Sequence, residues 1–199
     1  MNNEEKALST KDTILKVTLD IIKKEGIESI TIRKIAREAN VNVALINYHF
    51  GSKDNLINEA LKILIKDMQQ LFNTLENNEI EPKKKLKIFL LGYVEILGDN
   101  TSIIKKAMAD TDKLFQSQLD LLKFVNQMGF GKIKHLIKQI TNIEDDKILT
   151  FTMFQLVGSI FFPMMALPLV EKGGQIEYKF NDDIEGYIDI LIDNFFKEY

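Results

Sequence analysis

A chain of 199 residues with 45% hydrophobic and 28% charged residues can bury a core, and that balance excludes extended disorder. The absence of cysteine excludes a disulfide framework, thiolate metal sites and a cysteine nucleophile, and suits a reducing cytoplasm, the expected location. A net charge of -3, with nine Lys/Arg against nine Asp/Glu in residues 1–60, excludes nucleic-acid affinity through bulk positive charge, so any such affinity must rest on individually placed residues.

In chain order, residues 1–12 are polar and lack the apolar run of a secretory signal. Strand-like alternation is scarce, and apolar residues recur three and four apart, so the expected fold class is all-α. The first helix runs from about Thr10 to Glu25, with Ile14, Val17 and Ile21 on one face and Gly26 as its stop. Three shorter elements follow. A long helix is then expected over about 53–75, with Ser52 as its N-cap. Residues 76–85, which include Asn77, Asn78 and Pro82, read as a loop. Further helices are expected at about 83–97, 102–115, 117–140, 145–170 and 182–197.

The chemistry concentrates in residues 31–50, TIRKIAREANVNVALINYHF. Thr31 can cap a short helix whose inner face is Ile32, Ile35, Ala36 and Ala39, the small Ala36 allowing a second helix to approach. Asn40 stands where a tight turn needs left-handed backbone, Val41 plugs the turn into the core, and Asn42 can cap the next helix. Ile46 and Phe50 then point inward. Asn42, Val43, Ala44, Leu45, Asn47 and Tyr48 remain on or near the outward face. This is a helix-turn-helix pattern whose second helix can enter a major groove.

On Thr31, Ile35-Ala36, Ala39, Val41, Ile46, Tyr48-His49-Phe50, Ser52-Lys53 and Leu56, the first 60 residues resemble the tetracycline-repressor (TetR) family of regulators. The resemblance implies a three-helix DNA-binding domain over 1–52 and a larger helical ligand-binding and dimerisation domain over 53–199, with helix 53–75 as connector. It implies that Asn42, Val43, Ala44, Leu45 and Asn47 face the groove, asparagine pairing with adenine and the apolar side chains packing on thymine methyls. Thr31, Tyr48, His49 and Lys53 would hold phosphates, and Arg33 would reach a base or a phosphate. Asn40 departs from the usual turn glycine, and Asn47 from a common aromatic. His49 also reads as a satisfied surface histidine, and Arg33, Lys34 and Arg37 as a solvated face.

The rest of the chain is less informative. Phe89, Tyr93, Met108, Phe115, Phe124, Met128, Phe151 and Phe154 are candidates for an apolar effector pocket, although side chains of this kind are more often plain core. Residues 148–170 carry no charge and are long enough for a membrane span, but they contain two prolines and several polar residues. The resemblance assigns the last two helices to a homodimer interface instead, with no membrane. No nucleophile, phosphate-binding or metal-ligand pattern stands out, His135 lies in a basic run, and neither an enzyme, a metal nor a cofactor is expected. The expected function is a ligand-responsive regulator, a repressor released from double-stranded, palindromic operator DNA by a small, largely apolar effector. The competing readings are a helical small-molecule sensor without specific DNA binding and a membrane-attached regulator.

Overall fold

A computed structural model describes residues 9–109, 119, 123, 129–172 and 183–197 of the chain. Among these residues there is no strand, and the all-α expectation stands. The helices are α1 (Thr10–Glu25), α2 (Ile32–Glu38), α3 (Val43–Phe50), α4 (Lys53–Thr74), α5 (Pro82–Asp99), α6 (Thr101–Ala109), α7 (Phe130–Thr141), α8 (Asp146–Lys172) and α9 (Ile184–Phe196), with a 3₁₀ turn at Ile27–Ser29. The parts of the expected helices at 102–115 and 117–140 between α6 and α7 fall largely outside the described residues.

Local chemistry sets the ends. Ser9 accepts the Asp12 N–H at the start of α1, and Gly26, at φ 86°, closes it with its N–H on the Ile22 carbonyl. The Glu81 carboxylate accepts the N–H groups of Lys83 and Lys84 at 3.0 and 2.9 Å, and Pro82 fills the first helical position, where no amide partner is needed. Asn142, at φ 56°, terminates α7.

The chain packs as two compact units, one of residues 1–65 with 102–119, the other of 66–101 with 120–199. In the first unit Ile14, Ile21, Ile22, Ile35, Ile46, Phe50, Leu56 and Ile57 form the core, and Ile103 of α6 belongs to the same cluster. Ser102 Oγ donates to the Lys23 carbonyl at 2.8 Å, fastening that segment to the end of α1.

In the second unit α5 packs against α7, α8 and α9. Its core includes Phe89, Leu90, Leu136, Ile137, Met153, Leu156, Ile160, Ile188 and Phe196. Phe72 meets Phe89 at 5.3 Å between ring centres, and glycine at position 129 leaves room for the Phe72 ring, since a Cβ there would lie 2.6 Å from Cζ. Lys87 bridges α5 to α9, 2.7 Å from Asp189 and 2.9 Å from Glu185. The hydrogen bond to Asp189, then that to Glu185, holds its ammonium above the ordinary lysine range.

Helix α8 continues through Pro163. Proline has no N–H for the carbonyl four residues back, that of Ser159. Tyr187 of α9 fills the vacancy: its Oη donates to the Ser159 carbonyl at 2.5 Å. Tyr187→Phe is therefore expected to cost about 1–2 kcal/mol in urea denaturation. In a Pro163→Ala background, where the helix supplies its own N–H, most of that cost should vanish, and an unchanged cost would show that the tyrosine acts elsewhere.

Candidate nucleic-acid interface

The turn between α2 and α3 is built by short-range hydrogen bonds. Thr31 Oγ1 accepts the Lys34 N–H at 3.2 Å and starts α2. Ala39 and Val41 donate to the Ile35 and Ala36 carbonyls at 2.8 and 2.9 Å, and Asn40 takes the left-handed φ of 52° that reverses the chain. Asn42 Oδ1 accepts the Ala44 N–H at 2.7 Å and starts α3. Ile35, Ala36, Ala39, Ile46 and Phe50 are buried, and Val41 is half-buried against the same core. Burial of one face of α3 leaves the other face to solvent.

On that outward face Asn42, Val43, Ala44, Asn47 and Tyr48 are exposed, while Leu45 and His49 are half-buried. Tyr48 is 82% exposed, with the edge of His49 beside it at 5.3 Å between ring centres. A large ring so exposed contributes little to folding and is free to meet a partner. Asn42 has a double position, because the oxygen that would accept from adenine already accepts from the Ala44 amide. Its Nδ2 remains as a donor.

The three basic residues of α2 separate. Lys34 is tied to Glu25, and Arg37 lies 3.8 Å from Glu38, whereas exposed Arg33 has no ion pair or hydrogen-bond partner among the described residues. Lys53, at the start of α4, places its Nζ 3.5 Å from the Ile30 carbonyl. Lys53 and Thr31, residues at opposite ends of the motif, thus come to the same edge. The turn from α3 to α4 uses residues that periodicity alone does not single out. Gly51 takes a φ of 72°, and Asn55 Nδ2 donates to the Phe50 carbonyl at 2.8 Å, while Ser52 Oγ accepts the Asn55 N–H at 3.1 Å. The Gly-Ser pair between two apolar-periodic stretches carried that signal.

The candidate effector residues do not share one environment. Phe89 is fully buried and stacks on Tyr93, their planes 5° apart. Burial pushes the Tyr93 hydroxyl well above the ordinary tyrosine range. Phe151 and Phe154 are instead 54% and 55% exposed on α8, Phe154 meeting Phe130 edge-on at 5.9 Å. Met108 falls on α6, and Phe115, Phe124 and Met128 lie outside the described residues.

Known proteins resemble the chain in two ways. Residues 14–60 match the profile of the bacterial regulatory proteins of the tetR family. The HTH-type transcriptional regulator BetI 1 of Chromohalobacter salexigens is 25% identical over 97 residues, 48% of each chain, so the match spans about half of that relative. The BetI regulator of Vibrio atlanticus is 24% identical over 140 residues, 67% of each. The crystal structure of a TetR transcriptional regulator from Legionella pneumophila superposes with a TM-score of 0.68 at 19% identity, over 95% of this chain and 98% of that one. At that identity the likeness concerns the fold.

Proposed function

Because the chain belongs to the TetR family of bacterial regulatory proteins, we propose that it is a dimeric transcriptional repressor, released from a palindromic operator by a small, largely apolar effector. The observation that carries this reading is α3 itself, a capped helix with one face in the core and the other holding an almost fully exposed Tyr48. Val43, Ala44, Leu45 and Asn47 read bases, with Asn42 contributing the amide its capping role leaves free. Thr31, Arg33, Tyr48, His49 and Lys53 hold phosphates and set the register. Two-fold symmetry places paired α3 helices in successive major grooves.

Dimerisation uses α8 and α9. The segment Asp146–Ala166 is apolar and long enough to cross a membrane (mean hydropathy 1.7), yet only 22% of it is buried within one protomer. A second copy of the same surface covers it, without a membrane. Effector binding near Phe89 and Tyr93 shifts the population toward dimers whose α3 helices are wrongly spaced, α4 being the element common to both units. The mechanism needs no catalytic step, metal or cofactor, and it operates in the cytoplasm.

The test is a fluorescence-anisotropy titration of the purified chain against DNA from immediately upstream of its own gene. Binding is expected to exceed that for a shuffled fragment by about a thousandfold or more. Equal affinities for the two fragments would leave a sensor without specific DNA binding. A screen of apolar small molecules for release then tests the effector, and a compound bound equally by free and operator-bound protein excludes this route of release.

A further inference from the structure

Three lysines of α7 are each paired: Lys132 with Glu76, Lys134 with Asp146 and Lys138 with Glu144. Lys85, in the first turn of α5, is different. It is 3% exposed, yet its side chain has no hydrogen-bond or ion-pair partner among the described residues. Its stem is buried while its ammonium keeps access to solvent, and the first turn of a helix is the end where the dipole disfavours a cation. Among the described residues no carboxylate pairs with it.

Lys85 lines a cleft of about 620 Å³ whose wall also includes Leu75, Glu76, Lys132, His135 and Gln139. That volume lies within the range of small-molecule sites. Lys132 is already committed, 3.1 Å from Glu76 and 3.0 Å from the amide oxygen of Asn73. Lys85, Lys132 and Glu76 together leave one uncompensated positive charge. The amides at the head of α5 are taken by Glu81, so an anion's partners there are side chains. His135 and Gln139 stand 3.2 Å apart through their side-chain nitrogens and can supply further polar contact, while Leu75 offers apolar surface. Lys85 also borders a smaller hollow of about 380 Å³, where it is the only charged residue among the described residues lining it.

We propose that the cleft between the end of α4, the head of α5 and α7 is a binding site for a small organic monocarboxylate, with Lys85 as its counter-charge. One uncompensated charge suits a monoanion better than a phosphate dianion, and the Leu75 wall suits an organic body better than a bare ion. Phe89, Tyr93, Phe151 and Phe154, considered for an apolar effector, are not among the described residues lining the cleft. Its occupancy is measured on the protein alone, so it stands or falls separately from operator binding.

Isothermal titration calorimetry of the full chain with hexanoate, hexan-1-ol and inorganic phosphate tests it, with the His135 ring resonances reporting the place of binding. Hexanoate is expected to bind and to shift those resonances, with hexan-1-ol and phosphate at least about tenfold weaker. Lys85→Met should lose about tenfold or more in hexanoate affinity, and Lys85→Arg should keep most of it. Methionine keeps the buried apolar stem, so the ligand-free melting temperature of Lys85→Met should be no lower than that of the parent. Failure of hexanoate to bind at millimolar concentration, equal binding by hexan-1-ol or by Lys85→Met, or tighter binding of phosphate would overturn the proposal. So would a clear drop in the melting temperature of Lys85→Met, which would make Lys85 a structural group.

Discussion

Replacing Phe162 by aspartate is expected to leave the protein monomeric and to remove most of its operator affinity. Phe162 is 71% exposed, and Ile148, Phe151 and Phe154 are exposed on the same side of α8. At 3.6 residues per turn these four positions fall within about a third of the helix circumference. Ile190 of α9 adds a further exposed apolar side chain. A contiguous apolar surface of this kind is characteristic of an interface, and a two-fold axis lets it meet itself. Aspartate at 162 would bring an unpaired carboxylate from each protomer into that contact, at a cost of several kcal/mol. A monomer grips only one half-site, so operator affinity should fall by about 100-fold or more as engagement of the second half-site becomes bimolecular. Light scattering after size exclusion reads the first effect and anisotropy the second. A variant that stays dimeric would place the interface elsewhere, and sedimentation of the parent chain with lipid vesicles would favour a membrane-attached regulator.

Tyr48→Ala and Lys53→Ala should weaken binding to every DNA sequence alike. Tyr48 rests on so little of the protein that its loss should change stability by less than about 0.5 kcal/mol. In a dimer it is lost twice, and two phosphate hydrogen bonds amount to about 1–3 kcal/mol, or about 5- to 150-fold in affinity. Lys53→Ala removes two cations per dimer, so the slope of log affinity against log salt should flatten by about 1.8. Asn47→Ala should instead alter base preference, by about 1–3 kcal/mol for each base that the side chain no longer reads. Asn42 is a poorer probe of base reading, since alanine there also removes the α3 cap, worth about 1 kcal/mol. An unchanged salt slope in Lys53→Ala would remove that residue from the phosphate set.

The helix-turn-helix was legible because its determinants are local. Thr31, Asn40 and Asn42 act on amides and dihedral angles within three residues of themselves, and the inward positions of Ile35, Ala36, Ile46 and Phe50 follow from helical spacing. What was not legible depends on chain segments far apart. Arg33 and Lys34 are adjacent basic residues in the sequence, and only the approach of Glu25 ties up one of them. Phe89 and Phe151 are indistinguishable as letters, yet one is buried under Phe72 and the other lies open on α8. The charge-free run of 148–170 gave no hint that its interior proline would be compensated by a tyrosine 24 residues further on. Lys85 closed the segment 76–85 that read as a loop, and the burial of its stem emerges only from packing.

The placement of Ser102 and Ile103 in the first unit bears on how the protein is made. The helix-turn-helix itself is finished at Phe50, but the cluster beneath it includes Ile103, and the end of α1 is fastened through Ser102. A ribosome that has just added residue 60 must add a further 43 before that last apolar side chain exists, which takes about 2–9 seconds at ordinary elongation rates. Through that interval the cluster lacks the side chain of Ile103 and the end of α1 lacks its tie to Ser102. A chain cut short ahead of residue 102 would carry the helix-turn-helix without the Ile103 side chain or the Ser102 hydrogen bond beneath it.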